Sequence, residues 1–426
     1  MNDTPRPADT GDAIVVTGIG AVTPIGTGSE GLWRGALAAR SAVRRIDRFD
    51  PSAFVTHIAA QVNDFDAADH VEGKRVRRLD RYSHFAIAAA RLALADACLE
   101  PSDVASDRVG VCLGTALGGV GFGEQEHANF LEKGPRAVSP LLALSIFAGA
   151  GSCNIAIEFG FSGPATANGD SCASAPVALG NAINYLRRGD ADVMLAGGAE
   201  APLYPLAFGA FALIRAMSQR NDDPERASCP FDKKRDGFVM AEGSALLVLE
   251  TRRHAEKRGA RIYAELAGYA LTNDGYHMTA PRPDGSAAVR AMRTALSDAG
   301  LGPDDIAAVS AHGSSTPLND AMETRAIKEV LGAEHGARTP VFATKAMHAH
   351  ALGATGAFEA ALCCLALQRE TLPPTINRLV PDPECDLDYV TEGGPRPWSP
   401  GPILSNSFGF GGINACLVFK PVSSGE

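Results

Sequence analysis

The chain has 426 residues, 46% hydrophobic and 21% charged, with a formal net charge of −10, the composition of two or three packed domains or one large duplicated one. An acidic balance without a sustained basic block excludes a nucleic-acid surface, and no run of about 18 apolar residues offers a membrane span. Nine cysteines, an odd number without a C-x-x-C pair, argue against a disulfide framework and a metal site, so a reducing, cytoplasmic setting is expected.

Residues 1–11, rich in Pro, Asp and Thr, are expected to be disordered. Ile14 to Gly18 reads as a first buried strand followed by a Gly/Pro turn. Residues 74–78 (KRVRR) are the densest basic stretch, either a solvated face or a docking patch for an acidic protein. Arg81 to Cys98 has helical periodicity, and Val109 to Leu113 is strand-like. Cys172 to Arg188 predicts a helix stopped by Gly189, with a strand over Ala191 to Ala196. Strand-like runs return at Ala307 to Ala311, Ile403 to Asn406 and Ala415 to Phe419, with an Ala/Leu/Cys-rich helix from Ala357 to Gln368. Cys112, Cys153, Cys363, Cys364 and Cys416, in apolar surroundings, read as buried small hydrophobes. Alternating strands and helices predict an α/β fold with sheets covered on both faces. The recurring order predicts two similar halves, residues 12–255 and 256–426, although no residue-level repeat is visible.

Three separated stretches carry chemistry. Cys172 follows the polar run 168–171 (NGDS) and enters a small-residue helix, where free N–H groups and the helix dipole favour a thiolate; the alternative is a structural cysteine. His312 follows an apolar strand directly, where α/β proteins place reactive groups; the alternative is a hydrogen-bonded turn histidine. His348 and His350 lie two apart, a spacing that suits divergent side chains better than a metal pair. The glycine clusters at 18–20 and 114–123 lack the third glycine or the lysine of nucleotide-binding loops. Gly409-Phe410-Gly411-Gly412 suits a backbone that closes over a site and offers an N–H to an oxyanion.

With Cys172, His312, Lys345 and His350 in this setting, and with residues 15–20, 230–238, 274–279 and 406–412 as long motifs in order, the chain resembles the elongating type II β-ketoacyl-acyl carrier protein synthases. The match covers nearly the whole chain. The resemblance implies a thiolase-like fold, two similar α/β halves in a five-layer α-β-α-β-α arrangement. It implies that Cys172 takes an acyl group from a carrier-protein thioester and that His312 and His350 favour decarboxylation of a malonyl thioester. It implies Lys345 as an electrostatic lysine with Glu359 as its carboxylate partner. The backbone N–H groups of Cys172 and Phe410 would form the oxyanion hole, with Phe410 as gate. Thr279, Ser314 and Thr316 would contact the pantetheine arm, and Leu117 and Phe408 the substrate. It implies no cofactor beyond carrier-bound phosphopantetheine, acyl carrier protein as partner, and a homodimer or a heterodimer with a paralogous subunit. A non-enzymatic, chain-length-factor-like subunit is the alternative; such subunits typically lose the cysteine.

The surroundings depart from the family pattern. Asp170-Ser171 precede the cysteine, Ala175-Pro176 follow it, and His348-Ala349 precede the second histidine, where the family has Thr-Gly or Ile-Gly. Two expectations follow: an unusual acyl chain in a specialised pathway, and an Asp170 charge that raises the Cys172 pKa.

Overall fold

A computed structural model describes residues 12–391 and 394–422; the disordered opening expected over 1–11 lies outside the described residues. The N-terminal half contains β1 (Ile14–Thr23), α1 (Arg81–Asp96), β2 (Val109–Gly114), β3 (Ala165–Asn168), α2 (Ser174–Arg187), β4 (Val193–Glu200) and β5 (Gly243–Thr251). The C-terminal half contains β6 (Ala264–Asn273), α3 (Ser286–Asp298), β7 (Ala308–Ser310), α4 (Pro317–Leu331), β8 (Pro340–Phe342), α5 (Thr355–Arg369), β9 (Asp388–Tyr389), β10 (Ile403–Gly409) and β11 (Ile413–Lys420). Short helices and strands fill the connections.

The strands show the duplication that the residues hide. In the first half the spatial order is β3-β2-β4-β5-β1; in the second it is β8-β7-β10-β11-β6, with β9 added at the outer edge. The directions also correspond. β2 runs parallel to β3 and β4, as β7 does to β8 and β10; the added β9 is parallel to β8, and the remaining neighbours within each half are antiparallel. The first strands of the two halves, β1 and β6, pair through Val15↔Glu265 and Val16↔Ala264, joining both into one path.

Period-two alternation sends the side chains of each strand to two different cores. In β5, Ala245, Leu247 and Leu249 point into a central cluster, while Leu246 and Val248 point into an outer one. The central cluster holds α2 and α5, packed against each other between the two sheets. α1 covers the outside of the first sheet, and α3 with α4 covers the second. The result is five layers, helix-sheet-helix-sheet-helix, the covered-sheet architecture expected from the alternating pattern.

Gly18 and Gly20 serve packing. A Cβ at Gly18 would lie 2.3 Å from the Ala93 carbonyl oxygen, and one at Gly20 2.0 Å from that of Ala89. Only glycine lets β1 approach the alanine-rich α1 so closely. Several boundaries differ from expectation. The helix expected from Cys172 begins at Ser174, after a single 3₁₀ turn, Ser171–Ala173. The strand expected over 191–196 starts at Val193 and runs to Glu200. Cys153, expected to be buried, is exposed because it falls on the outer face of a short surface helix, Ala150–Phe159. Among the described residues no helix is long and apolar enough to cross a membrane.

Candidate active site

The functional candidates converge because the two halves present equivalent edges to one another. Cys172 stands at the head of α2, His312 just beyond β7, and Lys345 and His350 in the segment between β8 and α5. A cavity of about 360 Å³ is lined by Cys172, His312, His350, Phe408 and Phe410. Ser314 and Thr316 also line it, as do the exposed Thr279 and Arg215. Leu117 does not line this cavity. It is partly buried, against an apolar cluster containing Leu203, Phe208, Met240 and Leu352. Phe410 belongs to both regions, its ring stacked on Phe211 with centroids 6.5 Å apart.

Backbone strain marks the site. Non-glycine residues with positive φ stand beside all three reactive groups: Ser171 (φ 53), Ser315 (φ 65) and Ala349 (φ 58). Such conformations cost energy and persist where surrounding packing over-determines them. At Ser171 the left-handed residue breaks the helical path, which is why Cys172 sits in a separate turn and not inside α2.

Cys172 is 8% exposed. Burial pushes its thiol above the ordinary cysteine value; the Ser171 hydroxyl, the Lys345 charge and the Phe410 backbone N–H pull it back, and the Glu200 carboxylate adds to the rise. The thiolate expected from a helix N-terminus is therefore opposed by burial. The Asp170 side chain makes no capping bond, and burial raises its own pKa. The carboxylate prominent among the influences that oppose Cys172 ionisation is that of Glu200. Iodoacetamide labelling across pH should show an inflection above the usual cysteine value of about 8.5, moved down in Glu200→Gln and unmoved in Asp170→Asn. A shift in Asp170→Asn as large as in Glu200→Gln would sink this assignment.

Lys345 organises the imidazoles. It is 1% exposed and donates to Glu359 Oε1 at 2.5 Å, to the His312 carbonyl at 2.6 Å and toward His312 Nδ1 at 3.3 Å. An ammonium group can only donate, so His312 Nδ1 must accept and Nε2 must carry the proton. His350 Nδ1 lies 2.9 Å from the Thr355 hydroxyl, which can donate to it and leave Nε2–H free. The two imidazoles meet edge to face, centroids 5.4 Å apart. Burial, together with the Lys345 charge, holds both well below the ordinary histidine pKa. They are neutral donors at physiological pH. Glu359 is fully enclosed, and burial raises its pKa to about 7 despite Lys345.

Two buried carboxylates were missed from sequence. Glu323, on α4, accepts the backbone N–H groups of His312 (2.8 Å) and Gly313 (2.9 Å) and the Asn406 amide (3.1 Å), fixing the turn that carries His312. Glu200, at the end of β4, accepts from Ala116 (2.6 Å), Leu117 (3.1 Å), Gly353 (3.0 Å) and the Thr115 hydroxyl (3.1 Å). Burial raises each to about 7. Available signals were an acid ending an eight-residue apolar strand, and Asn319, Asp320 and Glu323 at helical spacing just after His312.

The family description "Beta-ketoacyl synthase, N-terminal domain" matches residues 11–255, and "Beta-ketoacyl synthase, C-terminal domain" matches residues 263–378. The chain belongs to the β-ketoacyl synthase family. It is 46% identical to a 3-oxoacyl-[acyl-carrier-protein] synthase 2 from Synechocystis sp., covering 96% of this chain and 97% of that protein. Among solved structures it is similar to a type II polyketide synthase ketosynthase, described in complex with its acyl-carrier protein and bound to a hexaketide. The TM-score is 0.88 at 37% identity, covering 97% of this chain and 100% of that one. The ishigamide ketosynthase/chain length factor gives a TM-score of 0.90 at 36% identity, with coverage of 97% and 100%. As a β-ketoacyl synthase the protein is a carbon–carbon bond-forming, decarboxylating acyltransferase, and the reading as a non-enzymatic subunit gives way to the enzymatic one.

Proposed function

We propose that Cys172 Sγ attacks the carbonyl of an acyl-carrier-protein thioester, forming the acyl–Cys172 thioester as the carrier's C–S bond breaks. The carrier thiol leaves with the proton that Cys172 gives up. A malonyl-carrier thioester then enters, and its carbonyl oxygen takes the Nε2–H bonds of His312 and His350. Carbon dioxide departs, and the C–C bonding pair becomes an enolate whose oxygen the two donors stabilise. The enolate carbon attacks the acyl carbonyl, whose oxygen is held by the Cys172 and Phe410 N–H groups. The C–S bond to Cys172 breaks, the expelled thiolate takes up a proton from solvent, and a β-ketoacyl chain two carbons longer leaves on the carrier.

The observation that carries this reading is the pair of neutral imidazoles beside a buried cysteine, one with its tautomer set by Lys345. A charged imidazolium would protonate the carbanion; a neutral donor stabilises the oxygen without doing so. Because both pKa values lie well below 6.5, the imidazoles stay uncharged as pH falls through that value. Carbon dioxide release from malonyl-carrier protein should therefore carry no imidazole inflection between about pH 5.5 and 8; any inflection there belongs to the Glu323 and Glu359 carboxyls, raised to about 7, and should vanish in Glu323→Gln/Glu359→Gln. A loss of activity centred near pH 6.5 that persists in that double variant would overturn the assignment.

The cavity-lining hydroxyls of Thr279, Ser314 and Thr316 suit the pantetheine arm, and the exposed Arg215 suits an acidic carrier protein. Lys74, Arg77 and Arg78 remain available for docking, whereas Arg75 is paired with Glu158. The acyl chain would pass Phe410 toward Phe208 and Leu117, with Phe408 beside the reacting centre. An uncommon chain in a specialised type II pathway is the substrate reading that the altered surroundings of Cys172 and His350 favour. Among the described residues β3 pairs only with β2, leaving an edge suited to a two-fold dimer in which residues 12–255 supply the nucleophile and 256–426 the histidines. Nine free thiols suit a cytoplasmic location.

A further inference from the structure

The chain geometry immediately before His350 is unusual. Ala349 has φ 58° and ψ −157°, a region in which glycine is at home and alanine is strained. His350 itself has little freedom at its backbone: its N–H donates to the Val239 carbonyl (2.8 Å), and its carbonyl accepts from Ala241 (2.9 Å). The helical turn Lys345–His348 ends only one residue earlier. Ala349 alone must therefore redirect the chain from that turn to the edge on which His350 sits.

His348 brackets this bend. Its side chain is fully buried and is not among the cavity-lining residues. Nδ1 lies 2.7 Å from the Ala349 carbonyl and Nε2 2.9 Å from the Thr344 hydroxyl. A carbonyl only accepts, so Nδ1 carries the proton and Nε2 accepts from Thr344. The ring thus ties the residue preceding Lys345 to the strained carbonyl preceding His350. Phe358 closes behind it, edge to face with centroids 5.4 Å apart.

We propose that His348 is a positioning residue that holds Ala349 in its left-handed conformation and so fixes Lys345 and His350 for the decarboxylation step. The ring substitutes a side-chain hydrogen bond for the freedom a glycine would have at position 349. The proposal rests on the role assigned above to His350.

The test compares His348→Ala, His348→Ala/Ala349→Gly and His350→Ala. Acyl loading of Cys172 is read by intact mass, and carbon dioxide release from malonyl-carrier protein by its kcat and KM. In His348→Ala, kcat for decarboxylation should fall by about tenfold or more, with loading and KM retained, because small misplacements of a donor are costly. Glycine at 349 should restore most of that loss, since it adopts the bend unaided. Wild-type decarboxylation in His348→Ala, or a double variant that loads acyl groups but stays slow, would overturn the proposal. If the single variant does not fold, the double variant decides alone: fast supports, loaded but slow overturns. His350→Ala separates the two layers. If it decarboxylates normally, the role of His350 falls and the proposal falls with it; if it is inactive while His348→Ala is normal, only the positioning role falls.

Discussion

Lys345→Met is expected to lose both stability and decarboxylation. Its ammonium group is enclosed and is the partner given to Glu359 Oε1; the other carboxylate oxygen, Oε2, has no hydrogen-bond partner among the described residues. Removing one member of a buried pair strands the other, a loss of about 3–5 kcal/mol in urea unfolding. Adding Glu359→Gln should recover much of that stability by removing the stranded charge. Activity should not return, because nothing then forces His312 to keep its proton on Nε2. A double variant that regains both stability and decarboxylation would show that Lys345 acts only as scaffolding.

His312→Ala is expected to leave acyl loading of Cys172 largely intact and to slow carbon dioxide release by about 10²–10³-fold, the usual effect of losing one preorganised oxyanion donor. The substitution leaves the His312 backbone bonds to Glu323 and Lys345 in place, so the turn should keep its shape. Measuring loading and decarboxylation separately is the useful comparison. Equal losses in both steps would place His312 in the nucleophile's activation instead of the enolate's stabilisation.

The residues proposed to react were legible as candidates because each lies in a short local motif: a cysteine before a small-residue helix, a histidine after an apolar strand, a lysine five residues before a histidine. The order of strands and helices along the chain was legible in outline, since apolar runs and helical periods are local properties. What escaped depends on distant neighbours. Ser171 packs near Gly409, with a Cβ at Gly409 only 3.3 Å from the Ser171 Cβ. No local propensity reports that contact or the left-handed turn beside it. Asp170 draws attention by adjacency, whereas Glu200, 28 positions away in sequence, is a carboxylate that only the fold brings to bear on Cys172. Glu200 and Glu323 look like ordinary surface acids until the fold buries them among backbone N–H groups.

The 409–412 segment, proposed above to close over the site, is another long-range product. Gly411 and Gly412 have φ 83° and 73°, and a Cβ at Gly412 would lie 2.7 Å from the Cβ of Asp274. The Gly411 N–H donates to the Met278 carbonyl at 2.7 Å, and the Asp274 N–H to the Gly412 carbonyl at 2.8 Å. Sequence alone suggests a closing backbone at 409–412. The structure adds the loop to which that backbone is fastened, 274–278, adjoining the cavity-lining Thr279.

The most direct test of the account is intact-mass analysis of the purified protein. It would be mixed with a panel of acyl-carrier thioesters, from common saturated chains to longer unsaturated ones, and then with malonyl-carrier protein. The account predicts one acyl adduct on Cys172, absent in Cys172→Ala, cleared as carbon dioxide and a β-ketoacyl product two carbons longer are released. Preference for an uncommon chain would support the specialised-pathway reading, whereas equal use of common saturated chains would remove its basis. An adduct elsewhere, or one lost by hydrolysis without carbon–carbon bond formation, would contradict the central claim.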